Sequence, residues 1–167
     1  MQQMTVSFRA STRGIRPMQR LRQSTFAAIA FLLLSVTSAL ADMTAAGQWE
    51  QVDDKTGRVK STITISQAGS VFVGRVTQVF PEAGHPADPK CNNCSGALKG
   101  QPIKGMQIID GMKQSGLDYS DGTILDPESG TLYSAIMQLS PDSKHLTVRG
   151  YVGVSALGRS QVWNRLR

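Results

Sequence analysis

From Gly47 onward, apolar residues recur at every second position in short runs, and each run meets a turn signal before a helix could establish itself. The stretch "VKSTITIS" sets Val59, Ser61, Ile63 and Ile65 against Lys60, Thr62, Thr64 and Ser66. A period of two sends successive side chains to opposite faces, so this stretch predicts a strand with one face buried. Seven further runs read the same way: "AGQWEQV", "VFVGRVTQVF", "MQIIDGM", "GTIL", "TLYSAIMQLS", "HLTVRGYVGV" and "GRSQVWNRL". Between them stand "DDKTGR", "QAGS", "DPESG" and "SPDSK". In "DPESG", Pro127 presets the φ of a turn, Asp126 can accept from the amides ahead of it, and Gly130 can take the left-handed closing position. About eight strands joined by hairpin-length connections predict an all-β antiparallel fold, an up-and-down barrel or a sandwich. Trp49 in the first strand and Trp163 in the last give both ends of the sheet a heavy apolar anchor, which favours a sheet closed on itself.

One segment breaks the rhythm. From Pro81 to about Gly105 the chain carries Pro81, Pro86, Pro89 and Pro102 and shows no alternation. So long an irregular segment inside a domain needs a functional or mechanical reason. Eight-stranded barrels either fill their interior with side chains or hold one small ligand, depending on side-chain size. Ser61, Gly74, Ser134 and Ala135 are small candidates for inward positions and would leave volume for a guest.

The first 41 residues read as a secretory leader. Arg9, Arg13, Arg16, Arg20 and Arg22 precede the apolar run "FAAIAFLLLSV", and Ala39-Leu40-Ala41 supplies the small residues of a cleavage site. The run falls short of the roughly 20 residues that a membrane span needs. Cleavage after Ala41 leaves a single domain, residues 42–167, in the periplasm or outside the cell, with no transmembrane segment expected. The whole chain carries +6, but the five leader arginines face no acidic residue, so the mature chain holds 13 basic against 12 acidic side chains, +1. Its surface is therefore no footprint for nucleic acid.

Both cysteines lie in "DPKCNNCSGALKG". Export favours a Cys91–Cys94 disulfide. A redox-active pair wants its first thiol at a helix N-terminus, yet "SGALKGQPIKG" follows, with three glycines and a proline. His85, Asp88, Cys91 and Cys94 recur at every third residue and are all zinc-ligand types, so a metal site is the alternative; the expectation is a disulfide and no metal.

Catalytic patterns do not emerge. His85 lies in the proline-rich loop and His145 at a turn edge; "GVSALG" misses a nucleophile elbow by one position. Asp118, Asp121, Asp126 and Glu128 cluster around one hairpin without the spacing of a calcium loop. No catalytic residue and no cofactor is expected.

Taken together, "GQW", "CNNC", "QPIKGMQI", "GTILDPESGTLY" and "LTVRGYVGVSALGRSQVW" resemble an exported bacterial family catalogued as domain of unknown function 2147. The resemblance runs from about Gly47 to Trp163. It implies a lipocalin-like, calycin-type up-and-down barrel in which Gly47 and Trp49 form the opening Gly-x-Trp. It also implies a basic residue packed on that tryptophan, and Arg165 holds the matching position. Gly47, Trp49, Trp163 and Arg165 are thus expected at the barrel floor. The favoured functional reading is a non-enzymatic carrier of an apolar or amphipathic small molecule or lipid, entering at the end guarded by Pro81–Gly105. The other is a structural or partner-binding envelope protein with a filled barrel, using the long loop or exposed aromatics such as Tyr133 and Tyr151.

Overall fold

Every alternating run becomes a strand, and each strand pairs antiparallel with the next in the computed structural model, which describes residues 43–166. The expected leader, residues 1–41, lies outside the described residues. The strands are β1 (Gly47–Val52), β2 (Val59–Ala68), β3 (Val71–Val79), β4 (Gln107–Ser115), β5 (Asp118–Asp126), β6 (Thr131–Leu139), β7 (His145–Tyr151) and β8 (Arg159–Arg165). Strand β8 returns to pair with β1, placing Trp49 opposite Arg165 and Gln51 opposite Trp163. The sheet is a closed eight-stranded barrel, which leaves no strand edge open to pair with another chain.

The "DPESG" turn forms as its residues dictate. Asp126 Oδ1 accepts from the Glu128 amide at 3.0 Å, Oδ2 accepts from the Ser129 hydroxyl at 2.7 Å, and Gly130 closes the turn at φ 71°. The β4–β5 connection is tighter than expected, because β5 begins at Asp118 rather than Gly122 and the chain turns at Gly116.

Irregularities in the ladders decide which side chains face inward. Ile63 pairs with Val76, but the register then shifts and Ser61 pairs with Val79. An extra residue on one strand resets its alternation. Val76 and Val79, three apart, thus both turn into the barrel; a similar shift leaves Tyr119 and Gly122 both buried. Ser134 does not face inward. Its neighbour Ala135 is buried and adjacent residues of a regular strand point to opposite faces, so Ser134 is exposed on the outer surface. Ser61, Gly74 and Ala135 are buried as expected.

Large side chains pack one end of the barrel. Trp49, Trp163, Phe72, Tyr119, Met112 and Met137 are all essentially removed from solvent, and the Phe72 and Tyr119 rings meet edge-on at 5.1 Å. The segment before β1 closes this floor. Ala45 is fully buried; its amide donates to the Tyr119 hydroxyl at 2.7 Å, and its carbonyl accepts from Trp49 Nε1 at 2.9 Å. Burial pushes the Tyr119 phenol above its ordinary value, against the opposing Ala45 hydrogen bond. Arg165 ties the floor together. Its guanidinium lies 4.3 Å from the Trp49 ring centroid and donates to the carbonyls of Thr44, Ala46 and Ser143 at 2.6, 2.8 and 2.6 Å. Gly47 is required beside it, because a Cβ there would stand 2.6 Å from Arg165 Nη1 and its φ is 142°.

Candidate functional site: a half-open barrel

Above this floor the side chains shorten and the barrel empties. A cavity of about 710 Å³ opens at the end that carries the β1–β2, β3–β4, β5–β6 and β7–β8 connections. That volume lies within the usual range for small-molecule sites, roughly 300–1,000 Å³. Its two walls differ in chemistry. Val76, Val79, Ile108, Ile124, Leu125 and Val148 make an apolar wall on strands β3, β4, β5 and β7.

The opposite wall is polar. On β1, β2 and β8 the inward residues one step above Trp49, Ile63 and Trp163 are Gln51, Ser61 and Gln161. The Ser61 hydroxyl donates to Gln51 Oε1 at 2.7 Å, and Gln51 Nε2 donates to Gln161 Oε1 at 3.2 Å. Trp163 Nε1 reaches that same oxygen at 3.4 Å. Strand alternation alone could have found Gln51 and Gln161, because each is in phase with a tryptophan two residues away.

Charged side chains ring the mouth and are largely engaged with one another. Lys60 pairs with Glu128, and Arg159 Nη2 donates to Asp54 Oδ2 at 2.8 Å. Asp53 caps the β1–β2 turn, accepting from the amides of Lys55 and Thr56 and from the Thr56 hydroxyl; these bonds, led by the Thr56 amide, hold its pKa below the ordinary carboxylate value. The β7–β8 loop adds an apolar rim of Val152, Val154 and Leu157, 60–82% exposed. Arg149 holds that loop in shape, donating to the carbonyls of Ser155 and Ala156 and to the Ser160 hydroxyl.

The long segment between β3 and β4 borders the mouth without covering it. Cys91 and Cys94 are joined in a disulfide, and both are buried. Backbone bonds between Cys91 and Gln101, and from Ile103 to Pro89, fold the segment on itself. Its tip rests on the β5–β6 turn, where Asn93 Nδ2 donates to the Glu128 carbonyl at 2.7 Å. The packing there is close enough that a Cβ on Gly130 would run into the Asn93 carbonyl. Of the Pro81–Gly105 loop, only Ile103 reaches the cavity lining. The loop expected to guard the entrance therefore forms one side of a rim, with its tip set on the β5–β6 turn.

The other candidate residues stay apart. Both thiols are consumed by the disulfide; His85 and Asp88 are exposed, and among the described residues no cluster of His, Cys, Asp and Glu is arranged to hold a metal ion. Asp118 begins β5 and bonds Gln138, Asp121 faces Lys113 at 3.5 Å, and Asp126 ends the same strand. His145 Nδ1 meets Asn164 Oδ1 at 3.1 Å on the surface. Tyr133 and Tyr151 are not exposed aromatics; both are half-buried and line the cavity. No helix among the described residues is long and apolar enough to cross a membrane.

One packed end with a tryptophan under an arginine, eight up-and-down strands and a cavity open at the far end define a lipocalin-like β-barrel. The chain belongs to the family described as "uncharacterized protein conserved in bacteria (DUF2147)", whose model matches residues 47–165. No curated protein matches it. Among solved structures it is similar to protein HP1028 from the human pathogen Helicobacter pylori, which is described as belonging to the lipocalin family. The two share 14% sequence identity and superpose with a TM-score of 0.64, covering 75% of this chain and 84% of that one. At that identity the likeness is one of fold.

Proposed function

We propose that this protein is an exported, non-enzymatic carrier that holds one apolar or amphipathic small molecule inside its barrel. The observation that carries the reading is the division of the interior, with a floor packed by Trp49, Trp163, Phe72 and Tyr119 beneath a cavity of about 710 Å³. A barrel that served only as a rigid surface would gain stability by filling that space with larger side chains. Ligand enters between the Ile103 side of the rim and the β7–β8 loop. The arginine-rich leader and the Ala39-Leu40-Ala41 site support a periplasmic or secreted location.

Native mass spectrometry of protein purified from its own exported fraction tests this reading. A retained adduct of small-molecule mass, lost on denaturation, is expected. Protein that is bare, and stays bare after exposure to lipid extracts, overturns it. One observation favours the partner-binding alternative: Val152, Val154 and Leu157 form an apolar rim with no cover among the described residues. In the carrier reading these side chains grip the outer part of the ligand, since Val152 and Leu157 also line the cavity.

A further inference from the structure

The polar wall runs in one hydrogen-bonding direction, and that direction leaves a donor over. Ser61 donates to Gln51, and Gln51 donates to Gln161 through Gln161 Oε1. The same oxygen is the one nearest Trp163 Nε1. Gln161 Nε2 is left with no partner among the described residues. It is not sealed off, because no buried side-chain nitrogen or oxygen lacks a partner there; Gln161 is half-buried and lines the cavity. An amide has two N–H donors to satisfy, and Val148, paired with Gln161 across the β7–β8 ladder, offers only hydrocarbon.

Charge narrows the chemistry further. The cations lining the cavity are Lys55, Lys60 and Arg159, and the carboxylates are Asp53, Asp126 and Glu128. Lys60 is taken by Glu128 and Arg159 by Asp54, while Lys55 sits exposed on the β1–β2 turn. A carboxylate brought down to Gln161 would lose its water and meet an amide rather than a cation, because Lys55, the one lining cation outside an ion pair, stands on the exposed turn at the mouth; that exchange is strongly unfavourable. A neutral acceptor would meet a waiting donor, and a site built to hydrogen-bond such a group discriminates against analogues that lack it.

Resting on the carrier reading, we infer that the inner end of the cavity takes an uncharged hydrogen-bond acceptor, an ester, amide or ketone carbonyl, presented to the Gln161 amide. The hydrocarbon part of the ligand lies on the Val76–Val148 wall and runs out past Ile103 and Leu157. The preferred ligands are thus neutral lipids or similar amphiphiles with a carbonyl near one end, and free fatty-acid anions bind less well.

Delipidated protein titrated with dodecane, methyl dodecanoate and dodecanoate at pH 8 tests this, in the wild type and in Gln161→Met. The expected result is that the ester binds more tightly than the anion. In the variant the ester-to-alkane affinity ratio should fall by about 3–10-fold, the worth of one neutral hydrogen bond, while alkane affinity holds. Gln161→Glu keeps the shape of the side chain but removes the donor; it should give at least the same loss for the ester, and it serves where the methionine variant fails to fold. Tighter binding of the anion, or a ratio unchanged by both variants, overturns this inference and leaves the carrier reading standing. Saturable binding of none of the three probes overturns both.

Discussion

Replacing Arg165 by methionine removes the floor's guanidinium while keeping most of its stem. Three main-chain carbonyls, those of Thr44, Ala46 and Ser143, lose a charged donor at 2.6–2.8 Å. Hydrogen bonds to charged groups contribute about 1.5–3 kcal/mol each. The three share one donor group, and water can reach a half-buried site, so the sum must be discounted by more than half. The cation over Trp49 adds about 0.5–2 kcal/mol. The expected loss is about 3–4 kcal/mol, a large part of the stability of a domain this size. Lysine should recover less than half of it, because one ammonium cannot span carbonyls fixed for a planar fork. Urea unfolding followed by tryptophan fluorescence reads the effect directly, since Trp49 and Trp163 are both fully buried in the fold. Arg159→Met is the control: it breaks an exposed pair with Asp54 and should cost less than about 1 kcal/mol. If Arg165→Met costs no more than Arg159→Met, the floor is not organised by its guanidinium and the reasoning fails.

Trp49→Ala should destabilise the barrel by about 3–5 kcal/mol, the range for deleting a large buried aromatic, as measured by the same unfolding assay. Thiol titration of denatured, unreduced protein should find essentially no free thiol, and the Cys91→Ser/Cys94→Ser variant should lose about 2 kcal/mol by the loop-entropy argument for so short a closure; two titratable thiols would remove the staple. Asp53 and Asp142 both have pKa values held below the ordinary 3.8, by hydrogen bonds from Thr56 and from Ser140 respectively, so the fold binds protons there less readily than the unfolded chain. Their contribution is present above pH 3.8 and is lost as pH falls through the depressed values, so Asp53→Asn/Asp142→Asn should flatten the acid end of the stability profile. A variant whose acid profile overlays the wild type's would show that these two carboxylates carry no such linkage.

How legible this protein was in its sequence depends on the range of the cause. Period-two runs and turn residues act locally, and all eight strands, with the Asp126–Gly130 turn, could be placed from them. Trp49 and Trp163 were legible because a large aromatic in phase with an inward face has one plausible destination. What the residues left open was parity across bulges. Val76 and Val79 both face inward because β2 and β3 slip by a residue, and nothing in "VFVGRVTQVF" marks the slip. The Ser134 assignment failed for the simpler reason that it was grouped with its neighbour Ala135. Tyr119 went unnoticed because its partner, the Ala45 amide, lies 74 residues away and outside any strand. The position of the stapled loop followed from the Asn93 contact with the β5–β6 turn, a long-range packing fact that composition cannot supply.

The central claim is that the upper barrel is an open chamber that accepts a guest, and a single titration tests it most directly. Delipidated protein is titrated with an apolar fluorescent probe, and the same titration is run on Val148→Trp, which places an indole in the cavity from the middle of the apolar wall. The account predicts saturable binding of one probe per wild-type barrel, displaced by methyl dodecanoate and abolished in Val148→Trp while that variant keeps the wild-type strand signature by circular dichroism. Binding that is absent from the wild type, or that persists undiminished when the indole fills the chamber, would contradict it.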